Sequence, residues 1–126
     1  METEERLERL DKILAKLRDE WIFVEGKKDR EALRGLGFLK ILTISGNLRL
    51  SCDHAASQKA LKVFVLSDLD RRGDELAKNA RDELESRSIR ADIDARRVLA
   101  YLLNIRHFED AKRGYDKIKD KVQEKG

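Results

Sequence analysis

The sequence predicts an α/β protein with a central, mostly parallel sheet of about four strands flanked by helices. Three observations carry that reading. Apolar runs rich in β-branched and aromatic residues recur at Trp21-Ile22-Phe23-Val24, Lys40-Ile41-Leu42-Thr43-Ile44 and Val63-Phe64-Val65-Leu66. Each run ends in a glycine-bearing or acidic turn and is followed by residues spaced for a helix. A chain of 126 residues with one cysteine is long enough to bury such a sheet without disulfides.

Taken in order, Leu7, Leu10, Ile13, Leu14 and Leu17 recur at three- and four-residue spacings and predict an amphipathic helix over residues 4–19, with Thr3 as its N-cap. Strand one is expected at 21–25, where unbroken apolar character suits burial on both faces. Asp29 stands where an N-cap would begin a helix carrying Ala32, Leu33 and Leu36, and Gly37 stops it. Strand two follows at 40–44, then turn chemistry at Ser45-Gly46-Asn47 and a short helix from Ser51 to Ala60. After strand three at 63–66, Gly73 opens a helix with Leu76, Ala77, Ala80 and Leu84 on one side. A weak fourth strand is expected at 91–94. Two helices follow, one ending at Asn104 and one carrying Phe108, Ala111, Tyr115, Ile118 and Val122.

Composition excludes several classes. The first residues are charged throughout and no long apolar run occurs, so neither a signal peptide nor a membrane span is expected, and the single Cys52 fits a cytoplasmic protein. A net charge of +3 is far from a histone-like balance, so any basic patch must be local. Cys52, His54 and His107 cannot assemble a structural zinc site of the usual kind; both histidines are expected at the surface and Cys52 as a small helix residue. Tyr101 and Tyr115 have apolar helical spacing and read as core or rim residues. The leucine stripe of residues 4–19 and the stripe over 108–122 read as core-facing, with a dimer seam as the other use of such spacing.

Open parallel sheets bind ligands at the carboxyl ends of their strands, near the point where strand order reverses. The residues there are Glu25-Gly26-Lys27-Lys28-Asp29 and Asp68-Leu69-Asp70-Arg71-Arg72-Gly73. A flavodoxin-like order 2-1-3-4 makes strands one and three neighbours and brings Glu25, Asp68 and Asp70 to one edge. Carboxylates so gathered repel one another unless a hard divalent cation such as Mg²⁺ neutralises them. The alternative use of Asp68, Asp70 and Asp29 is to cap the helices that follow. Gly26 and Gly73 permit close backbone approach to a phosphate or a plain turn. Lys27, Lys28, Arg71 and Arg72 flank the edge as candidate phosphate contacts, or as a solvated face paired with nearby acids.

The segments Trp21 to Leu33 and Val63 to Leu76 resemble the Toprim domain, the catalytic module shared by topoisomerases, bacterial primases, OLD-type nucleases and RecR-type repair proteins. The resemblance covers roughly residues 20–95 and is strongest to small stand-alone Toprim proteins of archaea and bacteria. It implies a Rossmann-like three-layer fold, with an N-terminal helix (4–19) and C-terminal helices (96–122) packed on the Toprim core of one domain, 1–126. It implies Glu25 as general base in polymerisation or general acid in strand cleavage, and Asp68 and Asp70 as a metal-binding pair. Asp29 then assists a second metal or caps its helix. The cofactor implied is Mg²⁺, with Mn²⁺ as substitute. The expected function is Mg²⁺-dependent phosphodiester processing of DNA or RNA, by a monomer or homodimer, with a protein partner as a source of specificity. The rival reading is a non-catalytic module that binds nucleic acid or a repair or RNA-processing partner. A small-molecule phosphotransfer or nucleotide-binding regulator would also suit the architecture. No topoisomerase nucleophile or primase zinc domain is carried over.

Overall fold

The structure, a computed structural model, describes residues 1–125. Four strands, β1 (Trp21–Val24), β2 (Lys40–Thr43), β3 (Lys62–Val65) and β4 (Arg90–Asp92), form one sheet in the order β2-β1-β3-β4. All three pairings are parallel, so the sheet is wholly rather than mostly parallel. The helices are α1 (Thr3–Leu17), α2 (Lys27–Gly35), α3 (Leu48–Ser57), α4 (Arg71–Glu85), α5 (Ala95–Leu103) and α6 (Ala111–Lys125), with a 3-10 turn at Phe108–Asp110 leading into α6. No described helix is long and apolar enough to cross a membrane.

The apolar strands are continuous because both faces are covered. Ile22, Val24, Phe64 and Leu66 enter one core with Leu10, Leu14 and Leu17 of α1, Leu33 of α2, Leu99 and Leu103 of α5 and Ile118 of α6. Their alternates Phe23, Val63 and Val65 enter a second core with Cys52 and Ala55 of α3 and Ala77, Ala80 and Leu84 of α4. Side chains of a strand point alternately to its two faces, which is how one run of residues fills both cores. The helices change face between α2 and α3, where strand order reverses, as right-handed crossovers require. The leucine stripe of α1 therefore faces the core. Burial pushes the Cys52 thiol up to about 11, which leaves it a small apolar residue.

Local sequence explains most boundaries; strand ends shift by a residue or two, α4 begins at Arg71 rather than at Gly73, Phe108 lies in the 3-10 turn before α6, and three helix starts differ in how they are capped. Glu2, not Thr3, precedes the first turn of α1, and no side chain caps it. Gly26, not Asp29, is the N-cap of α2: Asp29 sits three residues in and its Oδ2 accepts from the Gly26 amide at 2.9 Å. Helix α3 starts earlier than Ser51 because Asn47 caps it, accepting from the Leu50 amide at 3.2 Å. Gly37 does stop α2: at φ +93° its amide bonds the Arg34 carbonyl while the Phe38 amide bonds that of Leu33, a Schellman closure. Asn104 ends α5 in the left-handed region at φ 57°.

The start of α4 is packed hardest. A Cβ at Gly73 would lie 1.8 Å from the carbonyl oxygen of Asp68, so only glycine lets this helix close over the loop after β3. Gly73→Ala must displace backbone rather than a flexible side chain, and we expect a loss of about 3 kcal/mol in urea unfolding; an unchanged midpoint would show that the loop yields freely.

Candidate functional site

The parallel register of β1 with β3 pairs Phe23 with Val65, so the two strands end side by side and their loops meet at one edge. Glu25 and Asp68, 43 residues apart in sequence, come into direct contact there: Glu25 Oε2 accepts from the Asp68 amide at 2.6 Å. Asp70 caps α4, with Oδ1 accepting from the Gly73 amide at 2.6 Å. Asp68 accepts from the Phe108 amide through Oδ1 at 2.9 Å. With Asp29 on Gly26, each of these carboxylates is fixed by a backbone N–H through one oxygen.

Two residues outside the expected set organise this edge. His107 places Nδ1 3.3 Å from Asp68 Oδ2. It is held by its neighbours, since the Leu69 amide bonds the Arg106 carbonyl at 2.8 Å and Phe108 is fully buried. Arg96 is only 2 % exposed; its Nε donates to the Ser67 carbonyl at 2.9 Å, and its Nη2 donates to the Asp68 carbonyl and to Asp74 Oδ1. The guanidinium thus satisfies the carbonyls of the loop that presents Asp68 and Asp70. Neither contact leaves a local sequence signal; the nearest one is apolar Phe108 directly after His107, which marks a segment tied into the core.

Among the described residues, Asp68, Asp70 and His107 can each place a ligand atom within 4.8 Å of the others. The donor set, carboxylate oxygens with one imidazole nitrogen, fits a divalent cation such as Mg²⁺ or Mn²⁺, the nitrogen favouring the latter. Glu25 and Asp29 are not in that tight group. They line the adjoining open cleft of about 330 Å³ with Gly26, Lys27, Lys28 and Arg72. Arg72 Nη2 reaches Ser45 Oγ at 3.4 Å, whereas Arg71 points away to Glu75 at 3.6 Å and does not line the cleft. The amides of Gly26 and Gly73 are already donated to Asp29 and Asp70, so neither offers a free N–H to a phosphate. Tyr101 lies exposed under Arg6, and Tyr115 donates to Asp11, both away from the cleft.

The electrostatics of the edge are strained. Burial raises the Glu25 pKa above its ordinary 4.5, against the pull of the Asp68 amide, and repulsion from Asp68, Asp70 and Asp29 adds to it. Burial likewise raises that of Asp29. Groups whose pKa rises on folding bind protons more tightly in the folded chain, so ionised Glu25 and Asp29 oppose folding at neutral pH.

An all-parallel sheet of order 2-1-3-4 with an acidic cluster at its carboxyl edge makes this a doubly wound α/β protein with a candidate cation site. Residues 20–100 match the Toprim domain, and the chain belongs to that family. It is similar to the UPF0292 proteins of Thermococcus gammatolerans, 34 % identical over 75 % of this chain and 73 % of the relative, and of Pyrococcus abyssi, 35 % identical over 78 % and 77 %. The solved structure of a putative protein from Aquifex aeolicus superposes with a TM-score of 0.65 at 28 % identity, covering 85 % of this chain and 95 % of that one. Membership implies a metal-binding, nucleic-acid-related function.

The Asp68 contact raises the His107 pKa above 6.5. That stabilisation is present below the ordinary histidine value and is lost as pH rises through the raised one. We expect the His107 ring resonances to titrate above 6.5 in the metal-free protein and to move down in Asp68→Asn; an unmoved midpoint would show that the two side chains do not interact in solution.

Proposed function

We propose that this chain is a Mg²⁺-dependent phosphodiester-processing protein acting on nucleic acid, by nuclease-like or nucleotidyl-transfer chemistry. The observation that carries this reading is the convergence of Asp68, Asp70 and His107 within 4.8 Å, next to Glu25 at the carboxyl edge of a Toprim sheet. Asp68 and Asp70 would hold the cation, with His107 as a nitrogen donor, and Mn²⁺ would substitute for Mg²⁺. Asp29 supports the edge from the floor of the cleft. The chemistry a divalent cation supplies at such a site is polarisation of a phosphoryl oxygen and activation of a hydroxyl.

Glu25 is suited to move the proton. A carboxyl group whose pKa is raised by burial and by neighbouring carboxylates is a better base than an ordinary glutamate, and its protonated form is available as an acid nearer neutrality. The hydrogen bond from the Asp68 amide orients it without neutralising it. Lys27, Lys28 and Arg72 line the same cleft and give a phosphate its counter-charge. Residues 1–126 act in this reading as one cytoplasmic unit, the Toprim core of 20–95 carrying the site and the flanking helices supporting it.

A second reading, a binding module without catalysis, is favoured by the open, shallow cleft. The two separate in one experiment. Asparagine at Asp68 or Asp70 keeps an acceptor for the Phe108 or Gly73 amide, so both variants retain the fold. Each is expected to weaken Mn²⁺ binding by roughly tenfold or more in calorimetry. Glu25→Gln is expected to bind Mn²⁺ normally while metal-dependent cleavage of labelled DNA or RNA falls by about 10²-fold or more. Unchanged binding in both aspartate variants would refute the metal site, and full cleavage by Glu25→Gln would remove its acid/base role. Metal-dependent retention of nucleic acid without cleavage would select the second reading.

A further inference from the structure

The Toprim match ends at residue 100, and the segment beyond it carries cations that the proposed site does not use. Arg113, Lys117 and Lys121 recur every four residues along α6, so they share a face at intervals of about 6 Å. With Arg106 they line a groove of about 380 Å³ between α6 and the end of α5, backed by Leu103 and Ile118. His107 lines the same groove and contacts Asp68, so one end of the groove lies beside the acidic edge.

Asp116 and Asp120 lie on the flank of α6 toward α2, where Lys112 Nζ bonds Asp116 at 2.6 Å; Arg113 and Lys117 border both that flank and the groove, whereas Arg106 and Lys121 line the groove alone. Within the groove the only ion pair among the described residues is Arg113 with Asp110, at 3.6 Å and with the arginine 71 % exposed. Arg106, Lys117 and Lys121 have no carboxylate within 4.0 Å among the described residues. Arg106, Lys117 and Lys121, with no carboxylate partner among the described residues, repel one another and suit a regularly spaced polyanion. The groove's shape is set by Gly114, where a Cβ would lie 2.6 Å from the Leu103 carbonyl oxygen; glycine lets α6 close against the end of α5.

We propose that the groove between α5 and α6 holds the sugar-phosphate backbone of a nucleic-acid strand. Arg106, Arg113, Lys117 and Lys121 contact its phosphates and lead the strand to the carboxylate edge. This rests on the function proposed above and adds where the strand lies. The C-terminal helix then supplies the grip that the small Toprim core lacks.

The test compares two paired substitutions of equal charge. Lys117→Gln with Lys121→Gln alters the groove; Lys16→Gln with Lys119→Gln removes exposed lysines outside it. Binding of fluorescein-labelled oligo(dT), oligo(U) and a DNA duplex is followed by anisotropy over a salt series, with Mn²⁺ binding measured on the same samples. We expect the groove pair to weaken binding about tenfold and to flatten the slope of log K against log salt by about 1 to 2, while the outer pair and Mn²⁺ binding stay at wild type. Equal effects of the two pairs would overturn the groove assignment and leave the metal-site reading standing. Failure of the wild type to bind any of the three probes while Mn²⁺ still binds would overturn the nucleic-acid reading and the groove with it.

Discussion

Repulsion among carboxylates held at one sheet edge is the constraint around which this molecule is arranged. Glu25, Asp29, Asp68 and Asp70 are brought together by strand order and are each fixed through one oxygen to a backbone amide. Such bonds hold the acids at close quarters but do not discharge them, and burial lifts Glu25 and Asp29 further from their ordinary titration. The fold tolerates this because the loop between β3 and α4 is clamped from every side: Arg96 on its carbonyls, Gly73 packed against Asp68, and the 106–108 segment bonded to Leu69 and Asp68. Strain of this kind at a rigidly supported site is the usual mark of function rather than of stability.

The division of the sheet into two cores explains why the supports lie where they do. Helices α1, α2, α5 and α6 cover one face and α3 and α4 the other. The site forms where β1 and β3, the central pair, end together, so it can draw side chains from both layers. Asp70 comes from the start of α4, Asp29 from the first turn of α2, and His107 from the link between α5 and α6. The basic groove continues along the same layer as His107, which joins a candidate chemical site to a candidate binding surface without another domain.

Much of the fold was legible because the strands announce themselves. Four-residue runs such as Trp21–Val24 and Lys62–Val65 have no room for a helix, so the strands could be placed, while the order that sets β1 beside β3 entered only as a flavodoxin-like condition that the structure meets. Capping was less legible. Asp29 has the chemistry of an N-cap and sits near the right place, but Gly26 takes that position because the Asp29 side chain can reach back to its amide from inside the helix. Asp70 does cap, and its second oxygen remains available at the same edge, so the capping and metal uses are compatible rather than alternatives. His107 and Arg96 were not legible because their roles depend on contacts with Asp68 and Ser67 that are 39 and 29 residues away in sequence. Nothing in local spacing records such a meeting; only the buried Phe108 hints that its neighbours are tied down.

The central claim is that this edge is kept acidic for a divalent cation, against the preference of the fold itself. The most direct test is thermal unfolding of the wild-type protein at neutral pH, first in EDTA, then with increasing Mn²⁺, with NaCl at matched ionic strength as the screening control. A ligand at a hundredfold excess over its Kd stabilises by about 2.7 kcal/mol, which for a chain of this size raises Tm by on the order of 10 °C. We expect that rise with Mn²⁺ and a much smaller one with NaCl. Identical Tm values in EDTA, Mn²⁺ and matched NaCl would contradict the account.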